Sequence, residues 1–136
     1  IGVEADVVPV GLADGGSMEV PDYGFAGWYT EGPVPGAVGP AVIVAHVDSA
    51  DGPDVFYGLA ELRPGDAVHV HREDGSVASF VVEDLEQQPK DELPGERIWA
   101  ASTEPRLTLI TCGGVFDRSV GHYDDNVIAY AAFKPV

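Results

Sequence analysis

The sequence predicts a mainly β, single-domain protein of barrel or sandwich type, and three observations carry that prediction. Apolar and β-branched runs are short and regularly interrupted. The interruptions are turn chemistry: 17 Gly and 11 Pro occur in 136 residues, and Asp14-Gly15 and Asp74-Gly75 sit between runs as hairpin turns do. Helical periodicity is weak throughout. The length allows one domain, residues 1–136, and an apolar fraction of 45% is enough for a core of its own.

Taken in order, strands are expected at Val3–Val10, Ser17–Val20, Ala41–Val47, Ala67–Arg72, Val77–Glu86, Leu107–Cys112 and Asn126–Phe133. Each is a run of β-formers, alternating or wholly apolar, that ends in turn residues. Phe56, Leu59 and Leu62 recur at helical spacing behind Asp54, a good N-cap, so one or two helical turns are expected over Asp54–Leu62. A second short turn is expected within Pro94–Ala101. Tyr23–Pro40, with Trp28 and Tyr29, and Gln87–Arg106, with Trp99, read as long connections. Long connections either carry function or merely cross the fold and pin themselves with an aromatic residue.

Charge excludes several partners. Lys and Arg number 7 against 23 Asp and Glu, a formal charge of −16. No cation precedes Arg63, while acids recur from Glu4 to Glu61. Nucleic-acid binding depends on cations that neutralise phosphates, so no nucleic-acid partner is expected. Adhesion to anionic lipid is disfavoured for the same reason. No run approaches the length of about 18 apolar residues that a membrane helix needs. The acidic excess reads as a solvated, self-repelling surface.

Cys112 is the single cysteine, so the sequence holds neither an internal disulfide nor a zinc–thiolate cluster. It is either a buried filler or a nucleophile. In Leu107-Thr108-Leu109-Ile110-Thr111-Cys112, alternation puts Thr108, Ile110 and Cys112 on one face. Gly113-Gly114 follows, so Cys112 is expected at the strand's end, open on one side. His46 likewise closes an apolar strand, sharing a face with Val42 and Val44. A thiolate nucleophile needs a nearby base or cation, and His serves as either near neutral pH. Arg118, six residues past Cys112, is the only cation between Arg106 and Lys134. It suits an oxyanion or a depressed thiol pKa, or else a surface pair with Asp117 or Asp124.

Other polar residues carry less. His69 and His71 share a strand face, but no third ligand stands at metal spacing, so they read as solvent-facing. His122 lies in the loop beyond Arg118. The acids from Asp48 to Asp54 do not follow a calcium-loop pattern. Asp48 is a weak candidate to orient His46. No metal and no cofactor are expected.

Together, Ala45-His46-Val47-Asp48-Ser49, Thr108-Leu109-Ile110-Thr111-Cys112 and Arg118 resemble the sortases, whose signature is a Thr-Leu-x-Thr-Cys run, an upstream His and a downstream Arg. The resemblance covers nearly the whole chain. Ile1–Gly11, Gly24 with Trp28-Tyr29, Gly39–Ser49, Leu62-Arg63-Pro64-Gly65-Asp66 and Leu107–Arg118 are most similar to class F sortases of high-GC Gram-positive bacteria. It implies a closed eight-stranded β-barrel with one or two short helices and a groove, one wall coming from Gln87–Arg106. It also implies a cysteine transpeptidase that cuts a Leu-Pro-x-Thr-Gly-like sorting signal between Thr and Gly. By the same resemblance Cys112 is the nucleophile, His46 the acid and base, Arg118 the oxyanion and substrate holder, with Thr111 and Trp99 as substrate contacts. The implied partners are C-terminal sorting-signal peptides of secreted proteins and an amine of a lipid II-like peptidoglycan precursor. The expected setting is a monomer on the outer face of the cytoplasmic membrane, tethered by an N-terminal segment ahead of Ile1.

Two other readings compete. A non-catalytic surface β-domain, adhesin- or pilin-like, with an inert Cys accounts for the strands and acids, but not for His, Cys and Arg each falling at an element end. An L,D-transpeptidase also pairs His with Cys, but its motif has Ser-His-Gly before the Cys, where Leu109-Ile110-Thr111 stands here.

Overall fold

The central pair of strands is the most apolar part of the chain. In the computed structural model, which describes residues 5–11, 21–49, 52–72, 74–89, 94–117 and 122–134 (backbone alone for 49, 112–117 and 122–124), β3 (Gly39–Val44) lies parallel to β8 (Pro105–Asp117). Ala41 to Ala45 and Leu107 to Thr111 are all buried. Strands covered on both faces cannot alternate apolar with polar residues, which is why these two runs are continuous.

Around this pair the described strands form one curled seven-stranded sheet, a half-barrel in the order β1-β2-β3-β8-β9-β7-β6. Its other members are β1 (Asp6–Val10), β2 (Phe25–Tyr29), β6 (Ala67–His71), β7 (Val77–Pro89) and β9 (His122–Phe133). The pairs β1–β2 and β3–β8 are parallel and the rest antiparallel. A two-stranded ribbon, β4 (Asp48–Ser49) with β5 (Gly52–Pro53), follows β3. Among the described residues β1 and β6 are edges, so the expected eight-stranded closure is met in part. The expected strand Ser17–Val20 and the Asp14-Gly15 turn lie outside the described residues.

Two apolar layers hold the sheet. The concave face packs Ile43, Leu107, Leu109, Phe80, Val82 and Leu59 into one cluster. The other face packs Val42, Val44, Ile110, Ile128 and Tyr130 beneath Ile98 of the short helix α1 (Gly95–Ile98). Each wholly buried aliphatic or aromatic side chain contributes about 1.5–3 kcal/mol.

Several expectations shift. Tyr23–Pro40 is not one long connection, since β2 forms inside it. Gly27, which reads as a breaker, is required there, because a Cβ at that position would stand 2.8 Å from Val10 Cγ1. Behind Asp54 only turns and a 3-10 segment, Leu59–Glu61, form, while Asp54 accepts the Val55 N–H at 2.8 Å. Both β8 and β9 exceed their predicted lengths. β8 does not end at Cys112 but runs on to Asp117 across an irregularity between Gly113 and Phe116. There Gly114 and Val115 oppose Asp124 alone, a bulge that bends the hairpin immediately after Cys112.

β7 has a bulge of its own between Val82 and Asp84. Before it, Ala78, Phe80 and Val82 point into the core. The extra residue, Glu83, reverses the alternation, so Asp84 and Glu86 emerge on the side of α1 rather than in the apolar interior. Both meet Arg97 there, at 2.6 and 3.2 Å.

Candidate active site

The β3–β8 register sets where the segments bearing His46 and Cys112 run. Val44 pairs with Ile110, and the next hydrogen bond, Ala45 N–H to the Ile110 carbonyl at 3.2 Å, continues the parallel pairing. His46 follows two residues after Val44, just past the end of β3, and Cys112 two after Ile110, within β8. Thr111 sits between these levels. Read as a substrate contact, it is 4% exposed, and its hydroxyl donates to the Ala45 carbonyl at 2.6 Å, tying β8 to β3 beside both residues.

The imidazole of His46 is half-buried and held from one side. Nε2 lies 2.8 Å from the Pro21 carbonyl. A carbonyl only accepts, so Nε2 carries a proton. The ring of Tyr23 stacks on the imidazole at 4.4 Å between centroids, tilted by 40°. The Pro21 carbonyl thus orients the ring at Nε2, and Asp48, which the sequence offered for such a role, stands in β4 opposite Pro53. The backbone continues the support: His46 and Val47 carbonyls accept from Phe56 and Asp54 N–H groups, both at 3.0 Å.

Across the β8–β9 ladder from Cys112 stands Asn126, whose side-chain amide donates to the Thr111 carbonyl at 3.5 Å. Arg118 lies outside the described residues. His122 pairs with Asp117 at the start of β9, opposite the far end of β8. His69 is exposed and meets Ser79 Oγ at 2.9 Å, and His71 is exposed as well. Among the described residues no cluster of His, Cys, Asp and Glu could hold a metal ion.

A cleft of about 250 Å³ opens on the same sheet further along β8, with Arg106, Thr108 and Tyr130 as its floor. Arg97, Ile98 and residues 100–102 wall it from the side of α1. The wall is braced: the Arg97 guanidinium lies 3.8 Å over the Tyr130 ring, and the Tyr130 hydroxyl donates to Glu86 at 2.8 Å. Burial first, then the Glu86 carboxylate, push the Tyr130 phenol well above its usual range, so it stays a donor. Arg97 hydrogen-bonds Asp84 and holds its carboxyl below the usual value. Trp99, 37% exposed, closes α1 and packs on Tyr29 at 5.0 Å, beside Gly32.

Sequence reasoning missed Pro21, Tyr23 and Asn126, and took Asp54 for a helix cap. The Tyr23-Gly24 turn was a legible signal. The pairing of Asn126 with Cys112 was not, because the β8–β9 bulge disrupts any count from one strand to the other.

A model of the sortase domain family matches residues 1–134. Among solved structures the chain is similar to sortase C1 of Streptococcus agalactiae, with a TM-score of 0.68 and 18% identity over 83% of this chain and 55% of that one. It is also similar to sortase C-1 of Actinomyces oris, at 0.67 and 20% over 83% and 60%, and to sortase A of Corynebacterium diphtheriae, at 0.67 and 18% over 82% and 48%. The chain therefore spans roughly half of the length of the solved proteins it resembles. No curated protein matches it. The match of the family model along nearly the whole chain, on a fold shared with solved sortases, means that the protein belongs to the sortase family.

Proposed function

We propose that this chain is a cysteine transpeptidase, most like the class F sortases, that cleaves a Leu-Pro-x-Thr-Gly-like sorting signal between Thr and Gly. The observation that supports the reading is the parallel β3–β8 register, in which His46 and Cys112 each follow two residues after a paired position, Val44 and Ile110. Three groups divide the work. The Cys112 thiolate attacks the Thr carbonyl carbon, and Arg118 neutralises the oxyanion that forms. His46, protonated by the proton that Cys112 gives up on forming its thiolate, passes that proton to the leaving amine as the C–N bond to Gly breaks. The thioester is then attacked by an acceptor amine, of a lipid II-like peptidoglycan precursor in this reading. That nitrogen loses its proton to His46, and the Cys112 thiolate departs. The cleft between α1 and the β8–β9 face, where Ile98 and Ala100 stand with Arg97 and Arg106, is the place this reading gives to the upstream part of the signal, with Trp99 at the end of α1 beside it. The site of action is the outer face of the cytoplasmic membrane, with the domain tethered through a segment ahead of Ile1.

Mass spectrometry of the protein mixed with a Leu-Pro-x-Thr-Gly peptide is the direct test. The expected product is a Cys112 adduct carrying the peptide up to Thr, absent in Cys112→Ala and in His46→Ala. A Cys112→Ala variant that still cleaves the peptide at the full rate would overturn the assignment. A thiol that resists labelling in the native protein would favour the inert surface domain.

A further inference from the structure

We infer that Tyr23 and Asp54 are positioning residues for His46, which they hold through a strap, Pro21 to Gly24, laid against the imidazole. The inference rests on the reading of His46 as the proton-transfer group and adds to it the parts that set which nitrogen works.

The parts form a closed circuit. The strap is a tight turn: Phe25 N–H donates to the Asp22 carbonyl at 3.2 Å, and Gly24 takes φ +86, which an L side chain rarely adopts. Its two ends grip the imidazole differently. The Pro21 carbonyl accepts from Nε2 at 2.8 Å, and the Tyr23 ring lies on the imidazole at 4.4 Å. Tyr23 is 60% exposed, so core burial does not hold it in place. Asp54 does so instead. Both its carboxylate oxygens accept the Gly24 N–H, at 2.9 and 3.2 Å, and one of them also accepts the Val55 N–H at 2.8 Å. The circuit then returns to its start, because the 54–56 segment is bound to the His46 and Val47 carbonyls. The main chain of His46 and its own ring are thus fixed by one frame.

The chemical consequence concerns the tautomer. With Nε2–H spent on a carbonyl, the neutral imidazole has its lone pair on Nδ1. Nδ1 makes no hydrogen bond among the described residues, so it is the nitrogen left to exchange protons with the leaving and entering amines. In the Ser-His-Asp pattern a carboxylate holds the ring directly. Here the carboxylate of Asp54 acts one step removed, on the strap, and a neutral carbonyl meets the ring.

The test has two readouts. With a sorting-signal peptide, Tyr23→Ala and Asp54→Ala are expected to lower kcat by about tenfold or more with KM little changed, as misorientation of a reacting group does. Tyr23→Phe, which keeps the ring, is expected to restore kcat. Independently of activity, nitrogen-15 NMR of the His46 ring is expected to show Nε2–H as the dominant neutral tautomer in the parent protein and a mixed population in Tyr23→Ala and Asp54→Ala. Circular dichroism of each variant separates loss of the strap from loss of the fold. Parent-like tautomer signatures in both alanine variants would overturn the inference, and so would an unchanged kcat in a folded Tyr23→Ala. If His46→Ala keeps its activity while the tautomer signatures change as stated, the proposed function fails and the strap's hold on the ring stands.

Discussion

Thr111 shows how one buried hydroxyl ties together the two segments from which the proposed site is built. Its hydroxyl crosses to the Ala45 carbonyl at 2.6 Å, between residues 66 apart in sequence, in a layer from which water is excluded. Thr111→Val keeps the shape but leaves that carbonyl without its donor, a change worth about 1–3 kcal/mol. The expected outcome is a lower midpoint in urea, with the remaining folded enzyme acylated by a sorting-signal peptide more slowly than the parent. An unchanged urea midpoint would show that the tie carries no weight. At the same scale the sequence singled out its candidates for chemistry by their place. His46 and Cys112 stood out because each ends an apolar run. Tyr23 and Asp54 did not, because their roles depend on contacts 23 and 30 residues away, and residue type alone does not carry those.

At the scale of elements the clearest lesson comes from the irregular strands. The runs Leu107–Cys112 and Ala41–Val47 were readable because continuous apolar character marks a strand buried on both faces. β2 was hidden by Gly27, whose missing side chain makes room for Val10. The extensions of β8 and β9 were hidden by the bulge between Gly113 and Phe116, which puts Gly residues where alternation predicts none. The β7 bulge delivers Glu86 to Arg97 and Tyr130. Burial there works against the Glu86 carboxylate, but hydrogen bonds from Tyr130 and Gln88 and the Arg97 charge outweigh it and hold its pKa below the usual value. A group whose pKa is depressed on folding contributes stability that is complete above its unfolded value, about 4.3 for Glu, and is lost as pH falls through the folded value. Acid titration of the folded protein is therefore expected to show loss of stability below about pH 4, reduced in Glu86→Gln. Parallel acid profiles for the two proteins would exclude Glu86 as a contributor. The same brace sets the wall of the cleft, so Glu86→Gln is also expected to perturb peptide binding more than thioester chemistry.

For the molecule as a whole, the mainly β class was legible from turn chemistry, while the order of strands was not. No local pattern shows that β3 pairs with β8, across a separation that contains four strands and two helical turns. The charge of −16 excluded nucleic acid and told nothing of the site, whose parts are set by packing rather than by net field. The central place of the β3–β8 pair has a kinetic side. Parallel pairing at long sequence separation requires loop closure before any contact rewards it, which puts such folds toward the slow, millisecond-to-second range. The segments that bear His46 and Cys112 take their places only when that closure is complete. Refolding from urea is therefore expected to recover acylation activity in the same phase as the tryptophan fluorescence of Trp28 and Trp99, and never ahead of it. Activity that returns before the fluorescence would show that the two strands assemble independently of the remaining sheet. A nascent or partly unfolded chain thus holds His46 and Cys112 on separate pieces, and under the proposed function it cannot form the thioester until that long-range pairing is made.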